Sequence, residues 1–83
     1  MKIPQLFSYS TSPSASGVSI GNLDIYFSYT TPIAFKYNGA LTIRQNGWST
    51  TTGTHLNQIN RDHSIRIPGK EFEQRLADLV GTI

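Results

Sequence analysis

The chain has 83 residues and a formal net charge of +2, from seven Lys and Arg residues against five Asp and Glu residues. This length predicts one small domain with a modest core. There is no cysteine, which excludes disulfides, thiolate metal sites and thiol nucleophiles. The charge is well short of the basic excess typical of nucleic-acid-binding domains. No apolar run approaches the ~20 residues that a membrane span needs, so no contact with a membrane is expected.

A Ser-rich stretch, SYSTSPSASG, occupies residues 8–17. Serine alternates with other residues there, which would suit a strand, but Pro13, Gly17 and the small side chains favour a flexible arm. We therefore predict a partly flexible arm at 1–17 and a single α+β domain at 18–83. An arm that becomes ordered on a partner and a loose tail both fit this composition.

The next part of the chain has the alternation of β-strands. Residues 18–30 and 33–37 alternate apolar and polar side chains, and 40–45 continue the pattern after Asn38-Gly39, a strong hairpin signal. Three strands joined in sequence predict an antiparallel meander. Its odd-numbered apolar residues are expected to face a core, and its even-numbered residues to form a second, open face.

Two helices are predicted after the strands. A weak one has an apolar stripe from Trp48 to Ile59, with Trp48 at its entry and Ser49 as N-cap. Its threonines and Gly53 disfavour a helix, so packing of Trp48 must hold it. The second, over KEFEQRLADLV, has a clear apolar stripe formed by Phe72, Leu76, Leu79 and Val80. The fold class is thus α+β: a three-stranded antiparallel meander covered on one face by two C-terminal helices.

A hydroxyl cluster lies at the start of the weak helix. Its candidate phosphate- or nucleotide-binding residues are Ser49, Thr51, Thr52 and His55. Hydroxyls and free N–H groups at a helix start can hold a phosphate. No lysine follows a glycine here, so this is not a Walker loop. The alternative is that Ser49 caps the helix and the threonines pack on the sheet.

Two histidines and two aspartates are candidates for a metal site or a base: His55, His63, Asp62 and Asp24. The spacing between the histidines fits no helical ligand pair, and no hydrolase motif is present. We therefore expect no metal, no cofactor, no catalytic residue and no enzymatic activity.

Basic residues offer a nucleic-acid-binding alternative, with Arg44, Arg61, His63, Arg66 and Lys70 as its residues. Acidic neighbours dilute this set, so an ordinary solvated surface also fits.

The even-numbered sheet face is the preferred protein-binding surface. Its candidate residues are Tyr26, Tyr29, Lys36 and Arg44, since tyrosine and arginine are enriched at interfaces. Pairing of two copies at a sheet edge, giving a homodimer, is a further possibility.

The segments YFSYTTPIAF, WSTTTGTHLNQI and RIPGKEFEQRL resemble a family of small uncharacterised proteins from phages and other mobile elements. The resemblance covers residues 26–76. The matching positions are Tyr26, Phe27, Tyr29, Thr31, Pro32, Trp48, Ser49, Thr51, Thr52, His55, Pro68 and Phe72. No activity comes with the resemblance.

Small phage proteins of this kind are often anti-defence factors such as anti-CRISPR proteins. The resemblance implies a protein that acts by stoichiometric binding in the cytoplasm of an infected cell. The expected partner is a host defence complex such as a CRISPR effector. The alternatives left open are a nucleic-acid-binding accessory protein and a nucleotide-binding module around Ser49–His55.

Overall fold

The computed structural model describes residues 3–47 and 50–82, which form one five-stranded antiparallel sheet and two α-helices. Every strand pairs with its neighbours in sequence, in the order β1-β2-β3-β4-β5. The strands are β1 (Gln5–Ser8), β2 (Ala15–Ile20), β3 (Leu23–Ser28), β4 (Thr31–Tyr37) and β5 (Ala40–Ile43). The helices are α1 (Thr50–Ile59) and α2 (Gly69–Thr82), with a short 3₁₀ helix, His63–Ile65, between them.

The α+β class and the antiparallel sheet are confirmed, but the prediction of three strands is wrong. Residues 18–30 contain a two-residue turn at Gly21-Asn22 and contribute to two strands. The additional strand, β1, and the first half of β2 lie in the segment predicted as an arm. Gly17 does not break β2, because the ring of Phe7 on the neighbouring strand occupies the space that a side chain on Gly17 would fill.

Tight turns connect the last three strands, β3, β4 and β5. Asn38 and Gly39 both have positive φ, at 50° and 84°, as their dipeptide predicts for a two-residue hairpin. Tyr29, at the β3–β4 turn, also has a positive φ of 57°, which is uncommon outside glycine and asparagine. A bulge where the register shifts between Tyr26 and Phe27 leaves Ile33 as an extra residue in β4.

The two helices pack on opposite faces of the sheet, so the expectation that both cover one face is wrong. On one face Phe72 of α2 packs against Leu23, Ile25 and Phe35. On the other, Leu56 of α1 packs against Ala34 and Ile43. We call these the α2 face and the α1 face.

The physical reason lies in the hairpin at Asn38-Gly39. A two-residue turn pairs Tyr37 with Ala40, so odd and even positions exchange faces between β4 and β5. Ile43 therefore lies beside Ala34 on the α1 face, and each face carries apolar residues that need a helix to bury them.

The connection between the helices crosses the outer edge of β5. Ile67 forms a parallel bridge with Arg44, through Gln45 N–H to Ile67 O at 2.9 Å and Ile67 N–H to Ile43 O at 3.0 Å. This bridge brings α2 to the face opposite α1. Within the described residues, neither helix is long and apolar enough to cross a membrane.

Candidate functional site

A buried cluster of hydroxyl and imidazole groups lies where β3 meets α1. Ser28 Oγ is 2.7 Å from Nδ1 of His55 and 3.2 Å from Oγ1 of Thr52, and the other imidazole nitrogen is 3.4 Å from Ser12 Oγ. Ser28 and His55 are only 2% and 1% exposed. The cluster thus joins the β1–β2 loop, the end of β3 and α1 through polar contacts inside the protein.

Aromatic rings enclose this cluster. The rings of Tyr9 and Tyr29 each lie 6.2 Å from the imidazole of His55, and Tyr9 also meets Tyr26 edge-on at 5.4 Å. The Tyr9 hydroxyl donates to the backbone carbonyl of Phe27 at 2.7 Å. Burial raises the pKa of Tyr9 to about 12, because the phenolate would lose hydration.

The Ser28–His55 pair has the donor–acceptor distance of a nucleophile and its base but lacks the rest of that machinery. The second imidazole nitrogen faces the hydroxyl of Ser12, whereas a triad places an orienting carboxylate there. Both members are shielded from solvent, so a substrate has no path to the Ser28 hydroxyl in this conformation. The arrangement is suited to fixing α1 on the sheet.

The predicted phosphate-binding residues do not share one surface. Thr52 and His55 face the interior, and Thr51 is exposed on α1. Ser49 and the predicted anchor Trp48 lie outside the described residues.

Three of the four predicted protein-binding residues lie on or beside the α1 face. Tyr26 and Lys36 are half-buried on that face, and the register places Lys36 beside Asp24. Tyr29 is 60% exposed at the β3–β4 turn.

Arg44 lies on the other face, beneath α2, and is 9% exposed. Its guanidinium is 3.3 Å from the carboxylate of Glu73 and sits over the ring of Phe72, 5.8 Å from the centroid. The first residue of α2 is Gly69, and a Cβ there would collide with this guanidinium. Arg44 therefore anchors α2. The expectation that it shares a surface with Tyr26 and Lys36 is wrong, because odd and even positions exchange faces between β4 and β5.

The basic residues divide in the same way. Arg61, His63 and Arg66 come together at the C-terminal end of α1, whereas Lys70 is exposed in the first turn of α2 and Arg44 is buried. Arg66 donates to Oδ1 of Asn57 at 2.9 Å and to the carbonyl of Asn60 at 3.1 Å, so it also caps α1.

Two adjoining cavities, of about 540 Å³ and 400 Å³, open beside these residues and share Asn57 and His63. We call them together the polar cleft. The larger is lined by Thr54, Asn57, Gln58, Arg61 and His63, and the smaller by Gln45, Asn46, Gly53, Asn57, His63 and Arg66.

The candidate metal residues do not converge. His55 lies in the buried cluster, while His63 and Asp62 belong to the loop after α1 and Asp24 hydrogen-bonds Ser19 on the sheet. Across the described ranges 3–47 and 50–82, no group of three or more His, Asp or Glu side chains is placed to hold a metal ion.

Sequence reasoning missed Tyr9, Ser12 and Ser28 as members of the buried cluster. The serine alternation at 8–17 was the available signal, but Ser12 reaches His55 across 43 residues of sequence. Such a contact becomes visible only once β1 and β2 are known to pair.

Comparison with known proteins places the chain in a protein family. No curated protein and no solved structure matches the chain. A model of a protein family, DUF8033, matches residues 1–74, which includes the five strands, α1 and the start of α2. Since this match spans most of the sequence, the chain belongs to DUF8033, a family of unknown function.

Proposed function

We propose that this protein is not an enzyme and acts by binding a macromolecular partner stoichiometrically. The observation that carries the proposal is the burial of the Ser28–His55 pair: Ser28 is 2% exposed and His55 is 1% exposed. The Ser28–His55 contact is thus used for packing, and the longer contact between Ser12 Oγ and Nε2 of His55 belongs to the same cluster. The accessible surface offers recognition groups.

The binding surface that we propose is the part of the α1 face that α1 leaves uncovered. Phe7, Tyr26, Lys36 and Leu41 are all half-exposed there, and Asp24 lies beside Lys36. Aromatic rings flanked by charges of both signs are typical of protein interfaces. Tyr29 extends this surface at the β3–β4 turn.

The proposed partner is a host defence complex of the CRISPR effector type, met in the cytoplasm of a cell infected by a phage. Support for this partner comes from the resemblance of residues 26–76 to small phage proteins. The buried Ser28–His55 pair supports action by binding, whereas the resemblance supports the identity of the partner.

Affinity purification from a defence-competent host tests both parts. The wild-type protein is expected to retain a defence complex, and Lys36→Glu to weaken retention about tenfold by reversing a charge at the interface. Lys70→Glu is the matched control, because Lys70 is exposed on α2. Equal retention by Lys36→Glu and wild type would contradict the proposed surface, and recovery of nucleic acid alone would contradict the proposed partner.

The non-enzymatic part has its own test. A serine-reactive fluorophosphonate probe should leave Ser28 unmodified in the folded protein, since the hydroxyl is shielded. Rapid stoichiometric labelling of Ser28 would show that the pair is reactive and would overturn this part of the proposal.

A further inference from the structure

The polar cleft has the donor groups of an anion site. Arg61, Asn57 and His63 are among the hydrogen-bond donors on its walls, and none of the residues that line either cavity is acidic. Arg61 is exposed, and the described residues provide no ion-pair partner for its guanidinium.

The contacts of Arg66 orient two further donors. Arg66 donates to Oδ1 of Asn57, which leaves the amide NH₂ of Asn57 available on the cleft wall. Nη1 of Arg66 lies 3.4 Å from Nδ1 of His63. Because a guanidinium can only donate, this imidazole nitrogen accepts, and the other one carries the proton. His63 thus presents an N–H group.

Arg66 itself is incompletely satisfied. It is 9% exposed, and its Nε is buried with no hydrogen-bond partner among the described residues. A buried donor left unpaired costs about 1–3 kcal/mol. An anion in the smaller cavity would place an acceptor beside this guanidinium.

The nearest carboxylate is engaged elsewhere. Asp62 accepts from the side chain and backbone of Ser64, at 2.6 Å and 3.0 Å, and these hydrogen bonds hold its pKa below the ordinary value. Asp62 lines neither cavity, and its carboxylate caps the start of the 3₁₀ helix, where it also attracts His63.

We propose that the polar cleft binds a phosphate group. The donors lie on two walls, with Asn57 on α1 and His63 on the 3₁₀ helix, and Arg61 lies between these elements. A tetrahedral phosphate can accept from several directions, whereas a carboxylate accepts in one plane. The volumes fall in the usual range for small-ligand sites, roughly 300–1,000 Å³. The cleft includes Gly53 and Thr54 of the 49–55 segment but not Thr51, Thr52 or His55, and it is separate from the proposed protein-binding surface.

The phosphate could belong to a free nucleotide or to a nucleic-acid backbone, and calorimetric titration separates them. The probes are AMP and a thymidine oligonucleotide of about twelve residues. Binding of AMP assigns the cleft to small phosphate ligands. Binding of the oligonucleotide alone, weakening steeply with salt, assigns it to the backbone. Absence of binding for both probes overturns the proposal.

Matched variants place the binding. Arg61→Gln is expected to weaken binding about tenfold or more, because it removes a charge-assisted hydrogen bond. Arg75→Gln removes the same charge from α2, where Arg75 pairs with Glu71, and should leave binding unchanged. An equal loss in both variants would show attraction by net charge and would contradict the site.

A second readout does not depend on a variant. Titration of the wild-type protein with the probe that binds should shift the backbone amide signals of Asn57 and His63 in NMR spectra. Shifts confined to the α1 face of the sheet would overturn the assignment to the cleft. The Lys36→Glu test concerns a different surface, the exposed part of the α1 face. Failure of one proposal therefore leaves the other standing.

Discussion

The Ser28 hydroxyl and Nδ1 of His55 lie 2.7 Å apart, although 27 residues separate them in the chain. The contact joins the end of β3 to the middle of α1. The sequence of α1, TTTGTHLNQI, contains four threonines and a glycine, which are poor helix formers. This helix therefore depends on tertiary contacts such as the one between Ser28 and His55.

We expect Ser28→Ala and His55→Ala each to lower the free energy of unfolding by about 1–3 kcal/mol, because each leaves a buried polar partner unsatisfied. Urea denaturation followed by circular dichroism measures the change. Thr54→Ala is the control: Thr54 is exposed on the same helix, and among the described residues its hydroxyl donates to the carbonyl of Thr50, so the loss of stability should stay within about 0.5 kcal/mol. Equal effects at Ser28 and Thr54 would contradict the structural role of the buried cluster.

We expect Gly69→Ala to destabilise the protein by about 1–3 kcal/mol, because the new methyl group would displace the guanidinium of Arg44 from Glu73 and Phe72. Gly81 provides a matched comparison in the same helix, where a Cβ would meet nothing within 4 Å. Gly81→Ala should leave stability unchanged or raise it by about 0.5 kcal/mol. Thermal and urea unfolding of the pair measure the difference, and similar values would argue against Arg44 as the anchor of α2.

We expect Tyr9 to make stability depend on alkaline pH. Its folded-state pKa of about 12 lies above the ordinary value of 10.0, so the folded protein holds the phenolic proton more tightly. The resulting stabilisation is complete below pH 10.0 and is lost as the pH rises towards 12. The full shift corresponds to roughly 2.7 kcal/mol, but the phenol is half-exposed, and solvent screening reduces this to about 1 kcal/mol.

The measurement is the free energy of unfolding of wild type and Tyr9→Phe across this alkaline range. The variant loses the hydrogen bond to Phe27 O and should be less stable at neutral pH. The gap between the two proteins should narrow as the pH rises. A constant gap would show that the Tyr9 hydroxyl does not titrate in the way its burial implies.

The sequence was sufficient to predict the two helices and the hairpin between β4 and β5. The apolar stripe from Phe72 predicts α2, and Asn38-Gly39 predicts the turn between β4 and β5. The sequence did not predict which residues share a face of the sheet, because alternation within one strand does not show which positions of the next strand lie on the same side. That information is in the register, where Tyr37 pairs with Ala40.

The Ser-rich strand was missed for a different reason. Small polar residues and Gly17 have low strand propensity, so β2 depends on contacts with the neighbouring strands β1 and β3. Phe7 covers Gly17 and meets Tyr26 edge-on at 5.4 Å. The candidate sites depend on the same long-range pairing: the buried cluster requires β1, β2 and α1 together, and the polar cleft requires the loop that β5 holds through Ile67.

The sequential strand order also has a kinetic consequence. Each pair of neighbouring strands is also adjacent in sequence, so forming the pair closes only a short loop. Each strand that is added then provides a free edge for the following strand. The helices have no apolar surface to join until the sheet exists, and each needs a different side of it. The sheet is therefore the unit that can assemble first and rapidly, with α1 and α2 docking afterwards, independently of each other.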